Sequence, residues 1–278
     1  MGKIALRIIS GILTIYIIII IYLYFNQHKI ILSPSPHYHP PPKSFNITQR
    51  FIHFDNNDSL HTWYIKNNNK KITVLYFSGN AFNISHRLFH VDVFNQLNIN
   101  AIMFDYKGYG LSTGSIVGKE SFFESSELVY NFMIDSLGVP TDSMLFWGYS
   151  LGGPIAAQLA SGKNIHGIVL ESPVISVNKI SKEIYPYLPF SIINKFDFNI
   201  EDFIYGSNAH ILVIHSEEDN IIPFRHVSDF FNNLNRKNKK MIRIHGQHRL
   251  SSFDSFPIYY KGVSSFIKGL TKKENQHE

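Results

Sequence analysis

Ser150 stands at the centre of Gly148-Tyr149-Ser150-Leu151-Gly152, a G-x-S-x-G pattern. A hydroxyl is a weak nucleophile until a base takes its proton, so a working serine needs a histidine and a carboxylate as partners. In a chain with 17 glycines the pattern alone carries little weight, and an ordinary Gly-rich turn with an exposed serine would also produce it. Its surroundings carry more. The strand-like run MLFWGY precedes it and the helix-like run LGGPIAAQLA follows, the strand-turn-helix setting in which a nucleophilic serine is held out for attack. Small residues at 148 and 152 let such a turn close. Pro154 then falls in the first helical turn, where N–H groups have no intrahelical acceptor to lose.

The partners are expected at later strand ends, in the order Ser, Asp, His. Asp219 follows the run ILVIH, in HSEEDNIIP, and His248 follows MIRIH, in HGQHRL. In these roles His248 is general base and then general acid, while Asp219 sets its tautomer and stabilises the imidazolium. Glu217 and Glu218 are rivals to Asp219. His245 is a rival to His248, though it falls at the strand end rather than in the loop beyond. An oxyanion formed at the attacked carbonyl needs two backbone donors, the N–H of Leu151 and one from the loop FSGNAFN, assigned to Asn80 with Ala81 as its neighbouring alternative. Each such donor contributes about 3 kcal/mol of transition-state stabilisation.

Those loops need a scaffold. Short runs rich in β-branched and aromatic residues, at 71–77, 101–106, 144–148, 166–171, 211–215 and 241–245, alternate with helix-period segments at 87–96, 118–137, 151–160, 223–234 and 255–270. Ahead of them, 46–54 and 62–66 suggest an antiparallel pair. The alternation implies an α/β fold, a mostly parallel central sheet with helices on both faces. Between 174 and 208, just after Pro173, lie Pro186, Pro189 and many aromatics, which fit either a lid or a packed helical connection.

Residues 8–25 are uncharged and dominated by isoleucine, about the length that crosses a hydrocarbon core near 30 Å. A cleaved signal peptide would have a shorter apolar run and a small-x-small end, whereas this run ends at Tyr22, Leu23, Tyr24 and Phe25. The segment therefore reads as an uncleaved transmembrane helix. Lys3 and Arg7 favour a cytoplasmic N-terminus, with the remainder on the opposite side. Five prolines between 34 and 42 read as an extended, semi-rigid spacer. The expected organisation is thus a tip and anchor at 1–28, a spacer at 29–44, a folded domain at 45–270 and a charged tail at 271–278.

Composition narrows the chemistry. With 44% hydrophobic and 17% charged residues the chain is globular rather than disordered. A net charge of +5, scattered except at Arg236, Lys237, Lys239 and Lys240, builds no basic face for nucleic acid. The absence of cysteine excludes disulfides, thiolate zinc and a Cys nucleophile. No cofactor or metal site is expected. His86 and His90 lack the Glu of a zincin motif, and His37 and His39 lack a third ligand. Gly108, Gly110 and Gly114 are spaced one residue too long for a dinucleotide fingerprint and read as a turn loop. Phe122, Phe123, Leu128, Val129, Phe132 and Met133 form an apolar stripe that reads as core.

In order, SGNAFNIS, FDYKGYGLSTG, GYSLGG, IHSEEDNIIP and HGQH resemble successive motifs of the α/β-hydrolase superfamily, over about residues 45–270. More closely they resemble its membrane-anchored branch, the BEM46-like proteins and α/β-hydrolase-domain proteins 12, 13 and 17. Two departures stand out. Ser78 occupies the place usually held by His before the oxyanion Gly, and Ser216 a place often held by Gly. The resemblance implies a serine hydrolase acting on ester, thioester or lipid acyl bonds, and the apolar segment 174–208 together with the membrane helix points to a hydrophobic acyl substrate. A peptidase acting on N-terminal residues is the alternative within enzymes, with Glu171, Glu183 or Glu201 as sources of an amine-binding acid. A non-catalytic binding protein of the same fold is the alternative outside them.

Overall fold

The computed structural model describes residues 2–67 and 69–274, so the expected tail at 271–278 lies outside the described residues from 275 onward. Eight strands form one sheet: β1 Ile47–His53, β2 Ser59–Ile65, β3 Asn69–Phe77, β4 Ile99–Phe104, β5 Met144–Tyr149, β6 Gly167–Glu171, β7 His210–Ser216 and β8 Lys239–Ile244. They are ordered β8-β7-β6-β5-β3-β4-β2-β1. From β8 to β4 every neighbouring pair is parallel, and β2 pairs antiparallel with both β4 and β1. The three strands whose every residue is buried, β4, β5 and β6, are apolar but for Asn100 and Glu171, because a sheet covered on both faces leaves no side for polar alternation. The edge strand β1, ITQRFIH, is mostly exposed and keeps its polar residues.

The helix α1, Gly2–Ile31, comes first and is treated below. On one face of the sheet, α2 (Leu88–Gln96) and α9 (Phe256–Glu274) bring Val91, Phe94, Tyr259 and Val263 against Leu145 and Trp147 of β5. On the other, α3 (Lys119–Asp135), α4 (Gly152–Ala160) and α7 (Phe224–Asn233) bring Phe122, Val129, Ile155 and Phe230 into the cluster around Phe146 and Ile168. The stripe on α3 is therefore core, as its helical spacing implies.

Between β6 and β7 the segment 174–208 divides in two. Its first half rises as a flap containing α5 (Val177–Ile184) and α6 (Phe190–Ile193), closed at its base by a bridge between Ser176 and Asn199. Its second half sinks into the core, where Phe196, Phe198, Ile200 and Ile204 are fully buried. The lid and packed-connection readings each describe one half.

At 30 residues α1 is longer than the apolar run at 8–25 and is apolar enough to cross a membrane. Tyr16, Ile20, Leu23, Gln27 and Ile31 are half-buried or buried on it, a spacing of three and four that marks one face turned to the rest of the molecule. The spacer also departs from expectation, since folded contacts begin before residue 45. Leu32 is buried, and Ser33–Pro34 pairs in parallel with Ala81–Phe82. The Asn83 amide donates to the carbonyls of Ser35 and His37, at 2.9 and 2.8 Å. Proline removes donors but leaves carbonyls, and here a side chain supplies the donors that the strap lacks. A short α8, Ser251–Asp254, precedes α9.

Candidate active site

β5 hands Ser150 to α4 through a turn that tolerates only glycine on either side. A Cβ on Gly148 would lie 2.4 Å from the carbonyl oxygen of Gly152, and one on Gly152 would lie 2.0 Å from that of Phe77. Ser150 itself has φ of 53°, a left-handed conformation that L-residues adopt at a cost and keep only when neighbours over-determine it. The neighbours are visible. The Ser150 N–H donates to the carbonyl of Glu171 at 2.9 Å, and its own carbonyl accepts from the N–H groups of Gly153 and Val174 at 3.0 and 3.1 Å.

So pinned, Ser150 Oγ lies 3.0 Å from His248 Nε2, and His248 Nδ1 lies 2.6 Å from Asp219 Oδ2. The structure thus brings together the three residues singled out from the sequence. Glu217 and Glu218 instead face solvent, Glu217 pairing with Arg243 at 3.1 Å and Glu218 lying 3.6 Å from His245. Burial alone would raise the Asp219 carboxyl. The hydrogen bond and charge of His248, with the N–H groups of Ile222 and Ile221, outweigh it and hold the group below the ordinary carboxylate range. An ionised Asp219 keeps the imidazole proton on Nδ1 and turns the Nε2 lone pair towards Ser150. Behind it, His215 donates from Nε2 to the carbonyl of Ile222 at 3.0 Å, and burial pushes its pKa down. Ser216 donates to the carbonyl of Gly246 at 2.5 Å and accepts from the N–H of Glu218 at 3.0 Å, so the serine found there ties the acid loop to the histidine loop.

Leu151 and Asn80 both line the cavity beside Ser150. Leu151 caps α4, where N–H groups point forward without an intrahelical acceptor. The Asn80 loop is braced from FDYKGYG. Tyr106 OH donates to the carbonyl of Ser78 at 3.2 Å, Tyr109 OH to that of Asn80 at 2.8 Å, and the Ile84 N–H donates to Asp105 Oδ1 at 2.8 Å. Gly110 must be glycine, because a Cβ there would lie 2.2 Å from Asp105 Oδ2. Ser78, in the place of the usual histidine, is buried with no partner for its hydroxyl among the described residues, and its support comes through the carbonyl instead.

One functional residue escaped the sequence reading in this role. Glu171, fully buried at the end of β6, accepts from Trp147 Nε1 at 2.7 Å, Ser252 Oγ at 2.6 Å, Tyr259 OH at 3.0 Å and His90 Nε2 at 3.2 Å. Burial would raise its pKa, but the charge and hydrogen bond of His90 and the bonds from Ser252 and Trp147 outweigh it and lower the group. Its carbonyl holds the Ser150 N–H, so one residue couples the elbow to α2, α8 and α9. The signal was a lone acid closing the apolar run HGIVLE. Glu171 is therefore no amine-binding acid. Glu183 pairs with Arg225 and His226, and Glu201 with Lys179. None of the three lines the cavity at Ser150.

That cavity holds about 460 Å³, within the range of small-molecule sites. Ile31, Val174, Val177, Ile180 and Ile222 make it apolar, and Arg87 and Arg249 are its cations. Among the described residues no carboxylate lines it. Of the two helix-spaced histidines, His86 borders the cavity and His90 lies buried on Glu171.

The sheet order, the elbow and its partners define a class, the α/β hydrolases. The chain is 30% identical to uncharacterised protein R595 of Acanthamoeba polyphaga mimivirus, over 77% of this chain and 79% of that one. It is 26% identical to the uncharacterised membrane protein YNL320W of Saccharomyces cerevisiae, over 86% and 88% of the two chains. It is 28% identical to bem46 of Schizosaccharomyces pombe, over 66% and 65%. Among solved structures, the esterase Pf2001 of Pyrococcus furiosus superposes with a TM-score of 0.71, at 18% identity, over 86% of this chain and 97% of that one. No protein-family model matches. The chain belongs to the α/β-hydrolase superfamily, among the relatives of bem46 and of the α/β-hydrolase domain-containing proteins.

Proposed function

We propose that this protein is a membrane-anchored serine hydrolase that cleaves carboxylic ester or thioester bonds, with acyl lipids as substrates. The observation that carries the reading is the hydrogen-bonded chain Asp219–His248–Ser150, at 2.6 and 3.0 Å, opening on an apolar cavity. Ser150 Oγ attacks the carbonyl carbon as His248 Nε2 takes its proton. The N–H groups of Leu151 and Asn80 receive the oxyanion. His248 then protonates the leaving alkoxide or thiolate, and water repeats the sequence on the acyl-enzyme. The likeness to Pf2001, an esterase, supports the bond type, and that to YNL320W, a membrane protein, supports the anchor. Residues 1–28 form the tip and anchor, with Lys3 and Arg7 on the cytoplasmic side and the hydrolase domain opposite.

An N-terminal peptidase is the weaker reading, because a substrate ammonium would meet Arg87 and Arg249 and no acid in the cavity. A purely binding protein would have no need of a strained serine aligned on a histidine. The test is covalent labelling of the membrane-bound full chain by a fluorophosphonate, beside Ser150→Ala and His248→Ala. Labelling of wild type, lost in both variants, is expected. A folded wild type that does not label overturns the catalytic reading.

A further inference from the structure

The flap and the anchor helix are not neighbours by accident of folding. The buried and half-buried residues of α1 run from Ile31 down to Tyr16, and two of them, Gln27 and Tyr16, bond to the flap. Gln27 is the pivot, donating to the Ile193 carbonyl at 2.9 Å and accepting the Lys195 N–H at 2.7 Å. Lys195 Nζ sits 4.2 Å above the Tyr24 ring. Nearer the N-terminus, Tyr16 OH donates to the carbonyl of Tyr187 at 2.7 Å. At 1.5 Å per residue, Tyr16 lies about 13 Å along the helix from Phe25, well inside a span that includes 8–25.

From these contacts we infer that the flap tip, residues 184–193, is immersed in the leaflet beside the domain, so that the cavity opens to the bilayer rather than to water. The inference rests on the membrane anchoring proposed above and adds a second membrane contact to it. The tip reads IYPYLPFSII, ten residues without a charge, bounded by Lys182 and Glu183 on one side and Lys195 on the other. Ile184, Tyr185, Tyr187 and Ile192 are exposed by 59, 55, 85 and 83%, apolar area that water would disfavour and acyl chains accept. Backbone polar groups are costly in hydrocarbon unless paired. Here two prolines lack the donor, and the carbonyls of Tyr187 and Ile193 are taken by α1. Ile31 of α1 and Val177 and Ile180 of α5 line the cavity, so its walls continue into the lipid-facing helix and flap, and an acyl chain passes between them without crossing water.

The absence of cysteine makes single-site spin labelling direct. The full chain, reconstituted in phosphatidylcholine–phosphatidylglycerol liposomes, would carry a nitroxide at Tyr187→Cys, Ile192→Cys, Ile15→Cys on the outer face of α1, or Asp142→Cys, exposed in the turn that opens β5 at the end of the sheet opposite Ser150. Collisions with oxygen and with a water-soluble nickel chelate are then compared. We expect labels at 187 and 192 to match position 15, rich in oxygen and shielded from nickel, and to differ from 142. Nickel access at 187 and 192 equal to that at 142, with position 15 shielded, overturns the inference and leaves the anchor standing. Shielding of 187 and 192 from both reagents overturns it in favour of a second copy covering the flap. A nickel-accessible position 15 removes the anchoring reading itself. None of these readouts depends on turnover.

Discussion

The elbow and the flap face each other across one cavity and are held by opposite means. The elbow is fixed by close backbone contacts around Gly148 and Gly152 and by Glu171, whose four side-chain donors come from four separate segments. The flap has no such centre. It is fastened at its base by the Ser176–Asn199 bridge and along its length by a helix outside the sheet. The distances needed for bond chemistry thus depend on buried polar groups that no surface event touches, whereas access to them depends on how the N-terminal helix lies.

The largest effect should come from the elbow side. Asp219→Asn leaves the shape but offers His248 Nδ1 a donor as readily as an acceptor, so turnover of an acyl ester should fall about 10⁴-fold with folding unchanged. An effect below tenfold would mean that Asp219 does not set the tautomer. Next, Glu171→Gln should destabilise the fold by about 3 kcal/mol, read by chemical denaturation, because four donors then share one neutral amide. The pH dependence has a definite sign. A carboxyl lowered in the folded state stabilises fully above its unfolded value, near about 4.3, and loses that contribution as pH falls through the folded value. Wild type and variant should therefore converge in acid, and a gap that widens there would refute the coupling. The smallest effect belongs to the flap: Tyr16→Phe removes one bond and should cost about 1 kcal/mol or less, with hydrolysis of a short water-soluble ester unaltered. A large loss there would erase the distinction between the two sides.

What was legible in the sequence was local. The sheet strands appear within a few residues of the runs that announce them, because strands buried on both faces must be continuously apolar. Ser150, Asp219 and His248 were findable because each sits in a short loop directly after such a run. Glu171 was visible as an oddity but its role was not, since its donors at 90, 147, 252 and 259 share no spacing. The strap was misjudged for a different reason. Proline content reports missing donors, while the contacts at 33–39 are made by the carbonyls of Ser35 and His37 and by the N–H groups of the non-proline residues Ser33 and His39. The helix likewise runs on to Ile31 past the polar residues Asn26, Gln27 and His28; Asn26 bonds back to the helix and Gln27 both to the helix and to the Ile193 carbonyl.

The junction of α1 with the strap bears on how the protein should be handled. Ile31 forms part of the cavity wall and its carbonyl accepts from the Asn80 amide at 2.7 Å, while the Ser33 N–H donates to the Asn80 carbonyl at 3.0 Å. Trimming the first 44 residues to obtain a soluble fragment would take away more than a tether. It would remove part of the cavity wall and two of the bonds that hold the Asn80 loop, leaving its carbonyl to Tyr109 alone, and substrate profiles collected on such a fragment would describe a wider and looser site than that of the chain that keeps them.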